Sequence, residues 1–198
     1  SVEGGTTRSV LAATHDQGLL RSDDFGVHWE PVTVPSLPSP PMRFTAVAVH
    51  PTKPQRVYLA SVERLWRSMD GGKTFQVATG TGLPTDAPWL GFAIHPTDER
   101  MVYLACGRRG VFYSEDGGET FVARNGGLYL SPIDAPGTGW TYSRIALSPA
   151  DPQRLYLDGD TTGGTALPYW TDDGGKNWHK ATSREAGLDG NSTYWSEG

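Results

Sequence analysis

The chain has 198 residues, of which 25 are glycine and 15 are proline; that length can bury a sizeable core, and the glycine and proline content suits a turn-dense β protein. A net charge of −5 with no stripe of Lys or Arg argues against nucleic acid as the main partner, and the single Cys106 excludes an internal disulfide. There is no run of about 18 apolar residues and no signal-peptide pattern, and the first residue is Ser1, so a soluble mature protein without a transmembrane segment is expected.

From the N-terminus, "RSVLAAT", "GLLRS" and "HWEPVT" read as short strands, with the stretch "SDDFGVHW" (Ser22 to Trp29) turning the chain between the last two. The run Phe44 to Val49 is apolar and β-branched and ends at His50-Pro51. After a turn come "RVYLAS", "RLWRS", the stretch "SMDGGKTF" (Ser68 to Phe75) and "TFQVAT". A third unit opens with "GFAIHP" and carries "VYLAC" and "SEDGGETF" (Ser114 to Phe121). A fourth opens with "SRIALSP" and carries "RLYLDG" and "TDDGGKNW" (Thr171 to Trp178). No segment shows helical periodicity with caps, so the chain reads as all-β, with four short strands to a unit.

The four quoted turn stretches all fit Ser/Thr-x-Asp-x-Gly-x-x-aromatic. Ser22, Ser68 and Ser114 stand at two equal intervals of 46 residues, and Thr171 follows 57 later. The stretches "AVAVHPTKPQRVYLAS", "GFAIHPTDERMVYLAC" and "RIALSPADPQRLYLDG" repeat in phase, so the repeating unit is a supersecondary module. Within each turn, Asp24, Asp70, Asp116 or Asp173 can accept backbone amides a few residues on, and Gly26, Gly72, Gly118 or Gly175 supplies a positive φ. The hydroxyls of Ser22, Ser68, Ser114 and Thr171 bond nearby backbone, and Trp29, Phe75, Phe121 and Trp178 cover the turns. The repeated aspartates therefore read as structural and not as chemistry.

Four-stranded units recurring at roughly 40 to 50 residues are the signature of β-propeller blades. The repeated motif resembles the Asp-box, or bacterial neuraminidase repeat, and the "HPxxPxxVYLAS" phrasing resembles the propellers of xyloglucan-active glycoside hydrolases, sortilin-type receptors and photosystem II assembly factors. That resemblance implies a single propeller domain or segment over 1–198, with blades near 1–40, 41–80, 81–125 and 139–183. Residues 184–198 would then start or close a further blade. The first unit has no innermost strand, and "NSTYWSEG" stops where one would begin. A four-bladed wheel closed by the C-terminal segment and a part of a larger wheel both remain open, the second being preferred. The resemblance also implies an extracytoplasmic location. Asn191-Ser192-Thr193 matches a glycosylation acceptor, which matters only in a eukaryotic secretory setting.

In such a blade the loops after its second and fourth strands share one face, where ligands usually bind, and the Asp-box turns occupy the other. On the first face His15 and Asp16 sit together in "THDQG", and Arg108 and Arg109 in "CGRRG" are candidates for a carboxylate or sulfate. The stretch "DGDTTGGTALP" (Asp158 to Pro168) is expected as an enlarged loop, and insertions on a regular scaffold tend to carry function. Asp158, Asp160 and Asp134, together with Asp86, are candidates for the carboxylate pair a glycosidase needs, one protonated and one ionised, although a turn or bound cation is the commoner role for such a group. Trp89, Trp140, Tyr129 and Trp195 fall beside the loops that lead from one blade to the next, and flat rings there suit sugar stacking or a protein anchor. Trp66, Phe112 and Tyr169 share one repeat position and read as core, while Trp170 has polar or tyrosine repeat mates. A sialidase site, with three convergent arginines and a Tyr/Glu pair, is not identifiable.

The expected function is a non-catalytic binding or scaffold propeller that grips a protein or a glycan through its loop face. The alternative is a glycoside hydrolase propeller of the xyloglucanase or glucanase kind, or a fragment of one. No metal centre and no cofactor is expected, and open blade edges would invite self-association or other subunits.

Overall fold

The computed structural model describes residues 9–14, 17–36, 44–62, 64–130, 140–161 and 168–181, with backbone alone for 140, 141 and 159–161. The first sheet holds three antiparallel strands, β1 (Val10–Ala13), β2 (Leu19–Ser22) and β3 (Glu30–Val32), in that order. Three four-stranded sheets follow: β4 (Phe44–Val49) to β7 (Gln76–Ala78) by way of β5 (Val57–Ser61) and β6 (Leu65–Ser68); β8 (Gly91–Ile94), β9 (Val102–Ala105), β10 (Val111–Ser114) and β11 (Val122–Ala123); and β12 (Trp140–Leu147), β13 (Leu155–Thr161), β14 (Tyr169–Thr171) and β15 (His179–Lys180). Each sheet is an antiparallel meander in chain order. The described residues form no helix, and none of their segments is a helix able to cross a membrane.

Burial explains the lettering of the strands. "VYLA" recurs in β5 and β9 because these strands are covered on both faces and bury every side chain, whereas the outermost strands β7 and β11 are mostly exposed. The innermost strands β4, β8 and β12 pack on one another, which favours small side chains where they meet. A Cβ on Gly91 would stand 2.6 Å from the Ser143 carbonyl oxygen. Between successive sheets lie apolar clusters built around Trp66 and Phe75, around Trp89 and Phe121, and around Tyr142 and Trp178, with a smaller one of Tyr58, Ile94 and Val102 between the second and third sheets.

The Asp-box turns are near copies of one another. In each, the Ser or Thr hydroxyl bonds the Asp Oδ1 at 2.7–2.8 Å and accepts the Gly amide at 2.7–3.2 Å. The same Oδ1 accepts the amides of His28, Thr74, Thr120 and Asn177 at 2.9 Å. The covering aromatics Phe75, Phe121 and Trp178 are buried, but Trp29 is 39% exposed, since among the described residues no sheet packs on that side of its turn.

The fourth unit departs from expectation. Asp158, Gly159 and Asp160 are not loop residues; they continue β13, paired with Arg144, Tyr142 and Thr141 of β12 across a register shift between Tyr142 and Arg144. Part of the extra length of this repeat is therefore spent on a longer hairpin, eight residues against seven, where β4 and β5 have six and five.

Candidate functional site

Side-chain bonds bring the connections after each outermost strand together with the β-turns on one face. Arg109, in the Cys106–Gly110 turn, forks onto Asp86 of the β7–β8 connection: Nε donates to Oδ1 at 2.9 Å and Nη2 to Oδ2. Arg64 donates to the Ser36 carbonyl at 3.0 Å and Trp66 Nε1 to the Pro35 carbonyl at 2.9 Å. Asn125 ties the next connection to the same turn, accepting the Val111 amide at 2.7 Å and donating to the Arg109 carbonyl at 2.9 Å. Tyr142 donates to the Tyr129 carbonyl at 2.8 Å. The Asp-box turns occupy the opposite face with the β4–β5, β8–β9 and β12–β13 turns, bonded by Gly71, Gly117 and Gly174 amides to the Gln55, Arg100 and Gln153 carbonyls.

On the loop face, Arg108 is exposed, as are Tyr129 (57%) and Leu130 (39%), and Leu130 lies against the turn, next to Gly110. Arg109 is committed to Asp86. The guanidinium beside it holds the Asp86 carboxyl below its usual value, so this acid stays ionised and is ill suited to donate a proton. Trp89 corrects the expectation of an exposed stacking ring: it is 5% exposed, packed in the core between the second and third sheets, with Nε1 bonded to the Pro84 carbonyl at 2.9 Å. The Cys106 thiol is buried, and burial pushes its pKa up, so it is inert. Trp140 begins β12 at the loop-face end of that strand. Asp158 is exposed. His15, Asp16, Asp134, Trp195, Asn191 and the side chains of Trp140 and Asp160 lie outside what is described. Among the described residues no three His, Cys, Asp or Glu side chains gather as a metal site.

Two features escaped the sequence reading. Across the fourth sheet Tyr156, Trp170 and His179 are successive cross-strand neighbours; the Trp170 and His179 rings lie 4.8 Å apart, and the Arg154 guanidinium sits 5.0 Å over Trp170. The equivalent tyrosines Tyr58 and Tyr103 reach into the next sheet's turns, bonding the Glu99 carbonyl at 3.4 Å and the Gly174 carbonyl at 3.2 Å, whereas Tyr156 is 47% exposed. The second is an open groove of about 830 Å³ where the first sheet meets the second, lined by Arg21, Thr33 and Lys73 among others. Aligning Lys73 with Glu119 in the repeat is the signal that would have pointed to it.

The BNR/Asp-box repeat family matches at residues 169–180, the fourth of the four turns described above. These sheets are Asp-box propeller blades. Their arrangement is similar to that of an ancestral GH74 enzyme, with a TM-score of 0.66 at 18% identity over 89% of this chain and 22% of that one. The GH74 xyloglucanase from Xanthomonas campestris is matched at a TM-score of 0.66 and 21% identity, over 89% of this chain and 28% of the other. The chain thus spans about a quarter of the length of these propeller enzymes. YCF48 bound to D1 peptide superposes less well, at a TM-score of 0.45 and 18% identity over 75% of this chain and 46% of that one. No curated protein matches in sequence.

Proposed function

We propose that the blades form a binding or scaffold surface that grips a protein through the loop face. The observation that carries this reading is the patch of Arg108, Tyr129 and Leu130 beside the Asp86–Arg109 fork, since exposed aromatic and arginine side chains around a fixed ion pair are the composition of interface anchors. A photo-crosslinking residue at position 129 is expected to form a protein adduct in the native source, lost in an Arg108→Ala/Leu130→Ala variant.

A second reading, a segment of a glycoside hydrolase propeller, is favoured by the fold likeness to GH74 enzymes. It requires two acids facing across a cleft, with Asp158, Asp160 and Asp134 as the candidates and Trp140 as a stacking ring. Retardation of the chain in a xyloglucan gel that disappears with Trp140→Ala would move the ligand from protein to glycan. Glycan turnover abolished by Asp160→Asn would replace the binding reading with a hydrolase. The row of exposed Tyr156, half-buried Trp170 and exposed His179 suits a further blade or subunit, and light scattering is expected to show self-association that Tyr156→Lys weakens. An extracytoplasmic setting fits the family resemblance and is tested by fractionating the native source.

A further inference from the structure

In each seam, one strand of a sheet sets a side chain on the second glycine of the next Asp-box turn. A Cβ on Gly72 would stand 2.7 Å from Leu11, one on Gly118 3.5 Å from the Tyr58 ring, and one on Gly175 3.6 Å from the Tyr103 ring. The Tyr103 hydroxyl goes on to donate to the Gly174 carbonyl at 3.2 Å, and Trp178 Nε1 donates back across the seam to the Arg124 carbonyl at 2.8 Å. A neighbouring pair of positions sets the charge of the seam. Arg67 meets Glu119 at 2.6 Å between the second and third sheets, and Arg21 and Lys73 hold the same places between the first and second.

The outer sides of the first and fourth sheets carry the two halves of one more such seam. On the fourth sheet, Tyr156 holds the place of Tyr58 and Tyr103, and Trp170 that of Arg67. On the first, the Asp-box turn presents Gly26, with Val27 in the place of Glu119 and Trp29 in that of Trp178. Beside it Val10, Ala12 and Leu20 stand where Val57, Leu59 and Trp66 do, and those three are buried between the first and second sheets. Val27 is 71% exposed, Val10 and Tyr156 are exposed, and Trp170, Ala12 and Leu20 are half-buried; among the described residues no sheet packs on either side. Where the internal seam sets a cation against an anion, these two sides offer an indole and a valine, an apolar match.

We propose that two copies of this 198-residue chain join head to tail, the fourth sheet of one packing on the first sheet of the other. Tyr156 of one copy lies on Gly26 of the other and donates to its Phe25 carbonyl, as Tyr103 does to Gly174. Trp170 covers Val27. Trp29 Nε1, which bonds the Gly26 carbonyl of its own turn at 2.9 Å, turns to the Ala181 carbonyl, the counterpart of Arg124. A second copy fits better than an unrelated protein because the turn it brings must place a glycine under the tyrosine and an apolar residue under the indole. Of the four Asp-box turns only the first does both, since Lys73, Glu119 and Lys176 stand where Val27 does in the others. Two different surfaces meet, so each copy keeps one of them open and association runs on to a closed ring or an open chain. The inference rests on the reading that the Tyr156 row takes a subunit and adds the surface that subunit brings; it is separate from the Arg108 and Tyr129 patch.

The test is sedimentation of the full chain, of its Tyr156→Lys and Val27→Lys variants, and of an equimolar mixture of the two variants carrying different dyes. Both substitutions fall on exposed side chains, so the urea midpoints should stay unchanged. The wild type is expected to form species larger than dimers, and each variant alone to associate about tenfold more weakly or worse. The mixture should form dimers holding one of each dye and nothing larger, because the fourth sheet of Val27→Lys and the first sheet of Tyr156→Lys still match; a misfolded variant cannot imitate that rescue. Wild-type association by Val27→Lys, with Tyr156→Lys monomeric, would overturn the head-to-tail pairing while leaving the row its subunit. A monomeric wild type would overturn both, and a mixture without mixed dimers would overturn the pairing.

Discussion

The Asp-box carboxylates behave as turn-holding anions. Burial alone would raise the Asp70, Asp116 and Asp173 carboxyls, but the hydroxyl or amide groups of Thr74, Thr120 and Asn177, with Ser68, Ser114 and Thr171, outweigh it and hold each down to about 2. Because the folded value lies below the unfolded one, their contribution is complete above about pH 4 and is lost as pH falls towards 2. His50 acts in an earlier window. Its Nδ1 accepts the Thr52 and Lys53 amides at 3.3 and 3.2 Å, its Nε2 is buried, and burial, followed by the charge of Lys53, lowers its pKa. Charging it is resisted in the fold, so stability is full above the unfolded histidine value of about 6.5 and declines as pH falls below it. Unfolding free energy measured against pH should thus fall in two stages, and His50→Asn, which keeps an acceptor, should flatten the first. Asp116→Ala should cost about 1–3 kcal/mol by urea denaturation. The role of these aspartates is readable from eight letters because all their partners lie within four residues. Trp89 was misread for the converse reason: its burial depends on the connection folding back so that Pro84 meets its indole.

At the scale of the blade, the connections are as constrained as the strands. Gly82 has φ 90° and its α-carbon faces the Phe121 carbonyl; Gly127 has φ 79° and faces the Trp178 carbonyl in the same way. A Cβ at either position would collide with backbone, so Gly82→Ala and Gly127→Ala should each destabilise by about 2 kcal/mol or more in urea denaturation. Ser36 holds the place of Gly82 one repeat earlier and takes φ 56° as a non-glycine residue. Ser36→Gly is therefore expected to stabilise, by about 0.5–1 kcal/mol, read from the same urea midpoint. Strands β4 to β11 were legible because apolar, β-branched runs alternate with aspartate and proline turns. The continuation of β13 through Asp158–Thr161 was not, since glycine and aspartate are poor strand formers and only pairing with β12 fixes them.

Over the whole molecule, repeat counting sufficed for the all-β blade architecture, because the four-stranded units bury both faces of their second strand against their neighbours. What repeat counting could not supply is the inequality of the seams, which rests on differences at single positions such as Lys73 for Glu119 and Pro35 for Thr81. The third and fourth sheets are joined by the Gly126–Asn177 bridge and by the Trp178 amide and indole, bonded to the Gly126 and Arg124 carbonyls at 2.6 and 2.8 Å. The first and second sheets rely mainly on the cluster around Trp66 and on Arg21 reaching the Gly71 carbonyl. Such an array has mechanical polarity. Stretched from its two ends in an optical trap, it should peel from the N-terminal sheet in a first, low-force step while the later blades hold as one unit.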